Sequence, residues 1–203
     1  MQELKDFIES GLLELYALGN ATPEQANEVL LMAARHTEIA VEIESIERSL
    51  LEYSFQNAIS PDQIVKPFLL ATVDYSERIR SGEVISFPPI INKTTAIDEY
   101  KQWLEREDMI APEVLPDLYA KIIGYTPTMT TAIVWIKQMA PQEIHHDEIE
   151  KFLIVEGSCD IVIGDEVHQL SAGDKLSIPL HKSHLVKVTS AIPCKVILQR
   201  IAA

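Results

Sequence analysis

The chain has 203 residues, which is enough for one large domain or two small ones. Apolar residues make up 47% and charged residues 24%, the mixture of a folded globular protein, so we do not expect a disordered chain. The formal net charge is −14 and the basic residues do not cluster, so we expect no direct contact with nucleic acid.

The chain contains no membrane signal and little cysteine. No apolar run approaches the roughly 20 residues that cross a bilayer, and the first residues lack the basic start and apolar middle of a signal peptide. Cys159 and Cys194 have no short metal-ligand spacing, and two cysteines do not make a disulfide framework. We therefore expect a cytoplasmic protein.

The first 80 residues predict helices. Thr22-Pro23-Glu24-Gln25 combines a capping threonine, a proline suited to the first helical position and a glutamine that completes a capping box. Ser60-Pro61-Asp62-Gln63 repeats this pattern and predicts a helix that continues to about Arg78. Apolar residues three and four positions apart predict a helix before Gly19, and Glu38–Phe55 continues the helical pattern. We predict a helical domain of about four helices over residues 1–80.

Acidic residues are concentrated in this helical part. Residues 1–59 hold 11 acidic and three basic side chains, a net charge of −8. One interpretation is a set of solvated helix faces. The other is a surface that attracts a basic protein, such as one that itself binds DNA.

Residues 81–203 predict mainly strands. Pro88-Pro89 interrupts any helix, and one further helix is predicted at Thr95–Arg106. Many short segments rich in β-branched residues follow, separated by turn residues, which favours an antiparallel barrel or sandwich. The predicted strands are Leu118–Gly124, Thr130–Gln138, Lys151–Glu156, Cys159–Ile163, Val167–Leu170, Lys175–Ile178, Leu185–Thr189 and Cys194–Arg200. The fold class is therefore α+β, with a helical bundle followed by a β-barrel.

Carboxylate and imidazole side chains recur in this second part. In an extended strand Glu143 and His145 point to the same side, and Glu150 opens the next predicted strand. His184 follows a turn further along the chain. Such groups converging from separate strands form a plausible divalent metal site, with zinc first and manganese, iron or nickel as alternatives. A shift of one residue in the strand would make His146 a ligand instead.

The same residues resemble the two motifs of the cupin (RmlC-like) family. Glu143-x-His145-x4-Glu150-x6-Gly157 is similar to the first motif, His-x-His-x4-Glu-x6-Gly. Gly173-x5-Pro179, with His184 five residues later, is similar to the second, Gly-x5-Pro-x-Gly-x2-His-x3-Asn. The resemblance implies a double-stranded β-helix, or jelly roll, with Glu143, His145, Glu150 and His184 as metal ligands.

Three positions depart from these motifs. Glu143 replaces the first histidine, His181 the glycine after the proline, and Val188 the final asparagine. A glutamate in place of a histidine lowers the selectivity for softer metals. The alternative interpretation is a cavity without metal.

The helical part resembles the helical domain of bacterial anti-sigma factors (ChrR- and RskA-like). The similarity rests on Ile8–Gly19, the helix start at Thr22 and the acidic helix after His36, and it covers about residues 5–78. Some anti-sigma factors pair this domain with a C-terminal cupin. In zinc-containing members a His-x3-Cys-x2-Cys motif holds the domain together, but no cysteine follows His36 here. The alternative is a helical extension that packs on the barrel or mediates a homodimer.

Two functions follow from these patterns. The first is a regulator without enzymatic activity, whose helices bind a sigma factor or another basic protein and whose cupin senses a metal or small ligand. The second is a metal-dependent enzyme, an oxygenase or isomerase acting on a small organic molecule. No separate general base, nucleophile or phosphate-binding loop is identifiable, so we assign no catalytic residues.

Overall fold

The structure is a computed structural model that describes residues 2–203. Six α-helices precede the strands: α1 Gln2–Ile8, α2 Leu12–Ala17, α3 Pro23–Arg35, α4 Thr37–Gln56, α5 Val65–Arg80 and α6 Lys101–Leu104. None of the described helices is long and apolar enough to cross a membrane.

The helix starts were predicted with mixed success. At α3 the Thr22 side chain accepts a hydrogen bond from the Gln25 amide, and the Gln25 side chain accepts one in return, as predicted. The single helix predicted before Gly19 is divided into two, because Gly11 adopts a left-handed conformation (φ 79°) between α1 and α2. The predicted start at Ser60 is wrong, since Asp62 accepts from the Ile64 amide in a turn and α5 begins at Val65.

The chain divides into two compact units, the first ending at Ser60 and the second running from Pro61 to Ala203. The first unit contains α1–α4 around the buried residues Leu13, Val29 and Ile39. The sequence predicted a boundary between residues 80 and 81, which would leave α5 in the helical domain. In the structure α5 lies in the second unit. The reason is packing, because the apolar face of α5 lies against the core of the strands.

Nine strands form two antiparallel sheets in the second unit. One sheet has the order β1-β2-β9-β4-β7 and the other β3-β8-β5-β6. The strands are β1 Leu118–Thr126, β2 Met129–Ile136, β3 Met139–Glu143, β4 Glu148–Glu156, β5 Ser158–Ile163, β6 Glu166–Ser171, β7 Lys175–Ile178, β8 His184–Val188 and β9 Cys194–Ala202.

The two sheets pack on each other as a jelly roll. Buried residues from both, including Phe152, Ile161 and Val196, share one core. The predicted fold class is confirmed, although the sheets remain open rather than closing into one barrel.

Two elements differ from the prediction. β3 was not predicted as a separate strand, and the predicted helix Thr95–Arg106 is a 3-10 turn at Ile97–Tyr100 followed by the single turn of α6.

An ion-pair network fixes α5 to the strands. Glu83 accepts from Arg78 of α5 and, at 2.7 Å, from Arg106, while Arg78 also donates to the backbone carbonyl of Ile122 in β1. Glu83 is only 15% exposed. The hydrogen bond from Arg106 holds the pKa of Glu83 below its ordinary value, and the Arg78 guanidinium adds to this against the opposing effect of burial.

We expect Glu83→Gln to lower the free energy of unfolding by about 2 kcal/mol at pH 7, because two partly buried guanidinium groups lose the carboxylate that they share and keep only Asp74 and Asp108. A carboxylate with a lowered pKa stabilises the fold above its ordinary pKa of 4.5, and this contribution disappears as the pH falls through the lowered value. Urea unfolding should therefore show a difference between wild type and variant that narrows below about pH 4.

Glu105→Gln is the matched control, since Glu105 pairs with Lys101 on the surface and both side chains are more than 60% exposed. Its effect should stay below about 0.5 kcal/mol. Equal effects of the two variants would contradict the anchoring role of Glu83.

Candidate metal centre

The centre lies where four strands and one loop meet inside the second unit. Glu150 on β4 stands opposite Arg200 on β9, and Glu143 at the end of β3 stands opposite His184 at the start of β8. His145 follows β3 in the loop that leads to β4. Antiparallel pairing thus joins residues that are distant in the chain.

The imidazoles of His145 and His184 face the carboxylate of Glu150. His184 Nε2 is 3.0 Å from Glu150 Oε2, and His145 Nε2 is 3.5 Å from Glu150 Oε1. One ligand atom from each of these three residues lies within 4.8 Å of the other two. Glu150 is 1% exposed and His184 3%, so water is largely excluded from the carboxylate.

Arg200 is the counter-ion of the centre. Its Nε donates to Glu150 Oε1 at 2.9 Å, and its Nη2 donates to Glu143 Oε2 at 2.8 Å. The other face of the guanidinium lies over the ring of Phe68 in α5, 4.4 Å from the ring centroid. With neutral imidazoles, the two carboxylates and the arginine leave a net charge of −1 in the interior.

The two carboxylates differ in their proton affinity. Burial and the charge of Glu150 raise the pKa of Glu143, and Arg200 only partly opposes this. Burial would also raise the pKa of Glu150, but the imidazoles of His145 and His184 and the charge of Arg200 outweigh it and hold that pKa well below its usual range. Glu150 is therefore the more acidic of the two carboxylates.

The residues present fit a divalent metal ion. His145 Nε2 is buried and has no hydrogen-bond partner, which leaves a lone pair or a proton directed into the centre. His184 Nδ1 faces the carbonyl of Lys182 at 3.4 Å, which favours a proton on Nδ1 and a lone pair on Nε2. A lone pair on His184 Nε2 and an oxygen of Glu150 at 3.0 Å repel each other unless a proton or a cation lies between them.

The predicted metal ligands do not all lie together in the structure. The structure brings His145, Glu150 and His184 together, whereas the Glu143 carboxylate is held by Arg200 and lies 3.6 Å from His145 Nε2. His146, the alternative ligand, is exposed and contacts His181 instead. That these residues hold a metal remains a prediction.

Arg200 was missed from the sequence, although a signal for it exists. On β9 the alternating residues Cys194, Val196 and Leu198 are buried in the core between the sheets, and Arg200 is next in this series. A charged residue at an inward position of an apolar strand predicts a buried ion pair. Its partners could not be read from the sequence, because they lie on β3 and β4.

Residues 132–199 match the family described as "Cupin domain". The C-terminal part of this chain is a cupin domain. No curated protein matches the chain. Among solved structures it is similar to KdgF from Halomonas sp., with 20% identity and a TM-score of 0.41 over 46% of this chain and 87% of that one.

Two further structures are similar at the same level. A predicted oxalate decarboxylase from Thermotoga maritima has 15% identity and a TM-score of 0.43, over 48% of this chain and 97% of that one. An RmlC-like cupin from Shewanella frigidimarina has 19% identity and a TM-score of 0.40, over 48% and 86% of the two chains. Similarities of this size concern the fold alone and do not identify a ligand or a reaction.

We expect Arg200→Met to lower the free energy of unfolding of the metal-free protein by about 3 kcal/mol, because it leaves two buried carboxylates without a counter-ion. Adding Glu143→Gln to this variant should recover part of the loss, since one of the two repelling charges is removed. Denaturant unfolding of the two single variants and the double variant measures the interaction.

Lys101→Met, on the exposed pair with Glu105, serves as the control for loss of one positive charge. Losses of the two single variants that simply add in the double variant would show that Glu143 and Arg200 do not act as a pair.

Proposed function

We propose that the chain is a regulator that binds a divalent metal ion in its cupin domain and a basic protein, such as a sigma factor, through its N-terminal helices. The observation that carries the metal-binding part is the convergence of His145, Glu150 and His184 around the unpartnered Nε2 of His145. Exposed apolar residues and negative charge on the first unit support the binding of a partner.

Two histidines and one carboxylate suit a first-row transition metal. Imidazole nitrogens are good ligands for zinc, iron and nickel, and the carboxylate adds a negative charge that the cation needs in a dry interior. Zinc is our first choice, with manganese, iron and nickel as alternatives. A bound ion would supply a fixed positive charge that links β4, β8 and the loop after β3.

Metal binding would also affect α5. Arg200 and a cation both require the negative charge of Glu150, so a cation weakens the hold of Glu150 on the guanidinium. The guanidinium also packs on Phe68, which belongs to α5. Occupancy of the centre could thus favour one position of α5 over another, the differential interaction that a sensor requires.

The first unit exposes apolar side chains at its C-terminal end. Residues 51–60 are all exposed, and Leu51 and Phe55, four residues apart on α4, are 56% and 73% exposed. Tyr53 and Ile59 are 67% and 92% exposed. Apolar side chains concentrated in this way favour a protein interface. The net charge of −8 over residues 1–59 favours a basic partner.

A second candidate is a metal-dependent enzyme for a small organic substrate. The observation in its favour is that Arg200 holds Glu143, so only three side chains are available as ligands. Three protein ligands leave coordination positions open for a substrate or for oxygen. Turnover of an added substrate by the metal-loaded protein, abolished in His184→Ala, would favour the enzyme over the regulator.

The untagged protein should contain close to one equivalent of a divalent transition metal after gel filtration, by elemental analysis. His184→Ala and Glu150→Gln should each retain less than about a tenth of that amount, because each removes one of three ligands. His168→Ala removes a histidine outside the centre and should leave the metal content unchanged. A stoichiometric ion in His184→Ala would contradict this ligand set.

In a pull-down from its native cell extract, the full chain should recover a sigma factor identified by mass spectrometry. Replacing both Leu51 and Phe55 by serine should reduce recovery at least tenfold, because the exposed apolar contacts are lost. Val114→Ser changes an even more exposed apolar residue, which lies in the second unit, and should have no effect on recovery. Recovery of no sigma factor by the wild-type chain would count against the regulator.

A further inference from the structure

A second pair of histidines lies at the surface of the cupin domain. His146, in the loop before β4, and His181, in the loop before β8, are both exposed. Their Nδ1 atoms are 3.0 Å apart and their ring centroids 5.2 Å apart. Neither residue belongs to the cluster formed by His145, Glu150 and His184.

The backbone of His181 is strained. It is the one residue other than glycine with a positive φ, 60°, in the part of the chain that the structure describes. The Cβ of an L-residue is crowded in this conformation, which glycine adopts freely. The conformation is held by a hydrogen bond from the His181 amide to the carbonyl of His145, at 2.8 Å.

In this backbone conformation the two imidazoles are in contact, but the contact alone contributes little to the free energy of folding. A hydrogen bond between exposed groups replaces hydrogen bonds to water and contributes little net stability. Strained residues that persist are often part of a functional site, which leads us to ask what the pair binds.

The distance between the two nitrogens matches a chelate. Two metal–nitrogen bonds of about 2.1 Å that meet at a right angle place their nitrogens about 3.0 Å apart, whereas a tetrahedral angle places them about 3.4 Å apart. The observed 3.0 Å therefore fits the right angle of a square-planar or tetragonal ion. Cu²⁺ and Ni²⁺ prefer this geometry and bind imidazole well.

We propose that His146 and His181 form a second metal site, exposed at the surface, that takes Cu²⁺ or Ni²⁺ through their two Nδ1 atoms. Water completes the coordination, because both rings are open to solvent. The chain's net charge of −14 favours the approach of a cation. This site does not depend on the buried centre and goes beyond the function proposed above.

The untagged full chain tests this proposal on an immobilised Ni²⁺ column and in a Cu²⁺ titration. The wild type should be retained on the column. With its buried centre already loaded with zinc, it should bind one further Cu²⁺ whose paramagnetic resonance spectrum shows coupling to two nitrogens. His146→Asn and His181→Gly should elute early and bind Cu²⁺ about 100-fold more weakly, because a single imidazole cannot chelate the ion.

Two variants separate this site from other histidines. His168→Asn removes a partly exposed imidazole on β6 and should behave as the wild type does. His184→Ala disrupts the buried centre and should still be retained on the Ni²⁺ column. Retention of this variant would show that the column binds the surface pair and not the buried centre.

His181→Gly also tests the integrity of the fold. Glycine relieves the left-handed strain, so its thermal midpoint without metal should be equal to or higher than that of the wild type. Added Cu²⁺ should raise the thermal midpoint of the wild type and should leave that of His181→Gly unchanged. Wild-type Cu²⁺ affinity in His181→Gly, or loss of column binding in His184→Ala but not in His146→Asn, would overturn the proposal.

Discussion

The interior of the cupin domain contains one fully buried carboxylate, Glu150, one mostly buried carboxylate, Glu143, and a single guanidinium that keeps them together. Arg200 donates to both at less than 3 Å, and without it their mutual repulsion in a dry environment would be severe. The imidazoles of His145 and His184 then complete the surroundings of Glu150. Every chemical property that we assign to the centre depends on this charge balance.

The response to a cation that we propose for the centre depends on the same balance. The carboxylates and the arginine sum to −1, and a divalent ion would change the sum to +1 within a few ångströms. Arg200 is then held less strongly by Glu150, while its packing on Phe68 continues. Phe68 lies on α5, and Arg78 of α5 donates to the Ile122 carbonyl of β1. A change of charge at Arg200 therefore has a path to a helix of the same unit.

The two units of the chain bury their apolar residues to very different degrees. The second unit has a continuous core between two sheets, whereas the first has three fully buried apolar residues and a helix end that is entirely exposed. A unit with so small a core and so much exposed apolar surface gains most from binding a partner. The division of roles that we propose, between a binding unit and a sensing domain, rests on this contrast.

The sequence by itself determined the α+β class, the capped start of α3, most strands, and the residues His145, Glu150 and His184, because these depend on local periodicity and on motif spacing. It did not determine the unit boundary or the place of α5, since the spacing of apolar residues on a helix does not show which surface will cover it. Only the tertiary structure showed that Arg200 takes Glu143 and that His146 meets His181. Each of these contacts joins side chains from strands or loops more than 30 residues apart, and only the folded chain brings them within reach of each other.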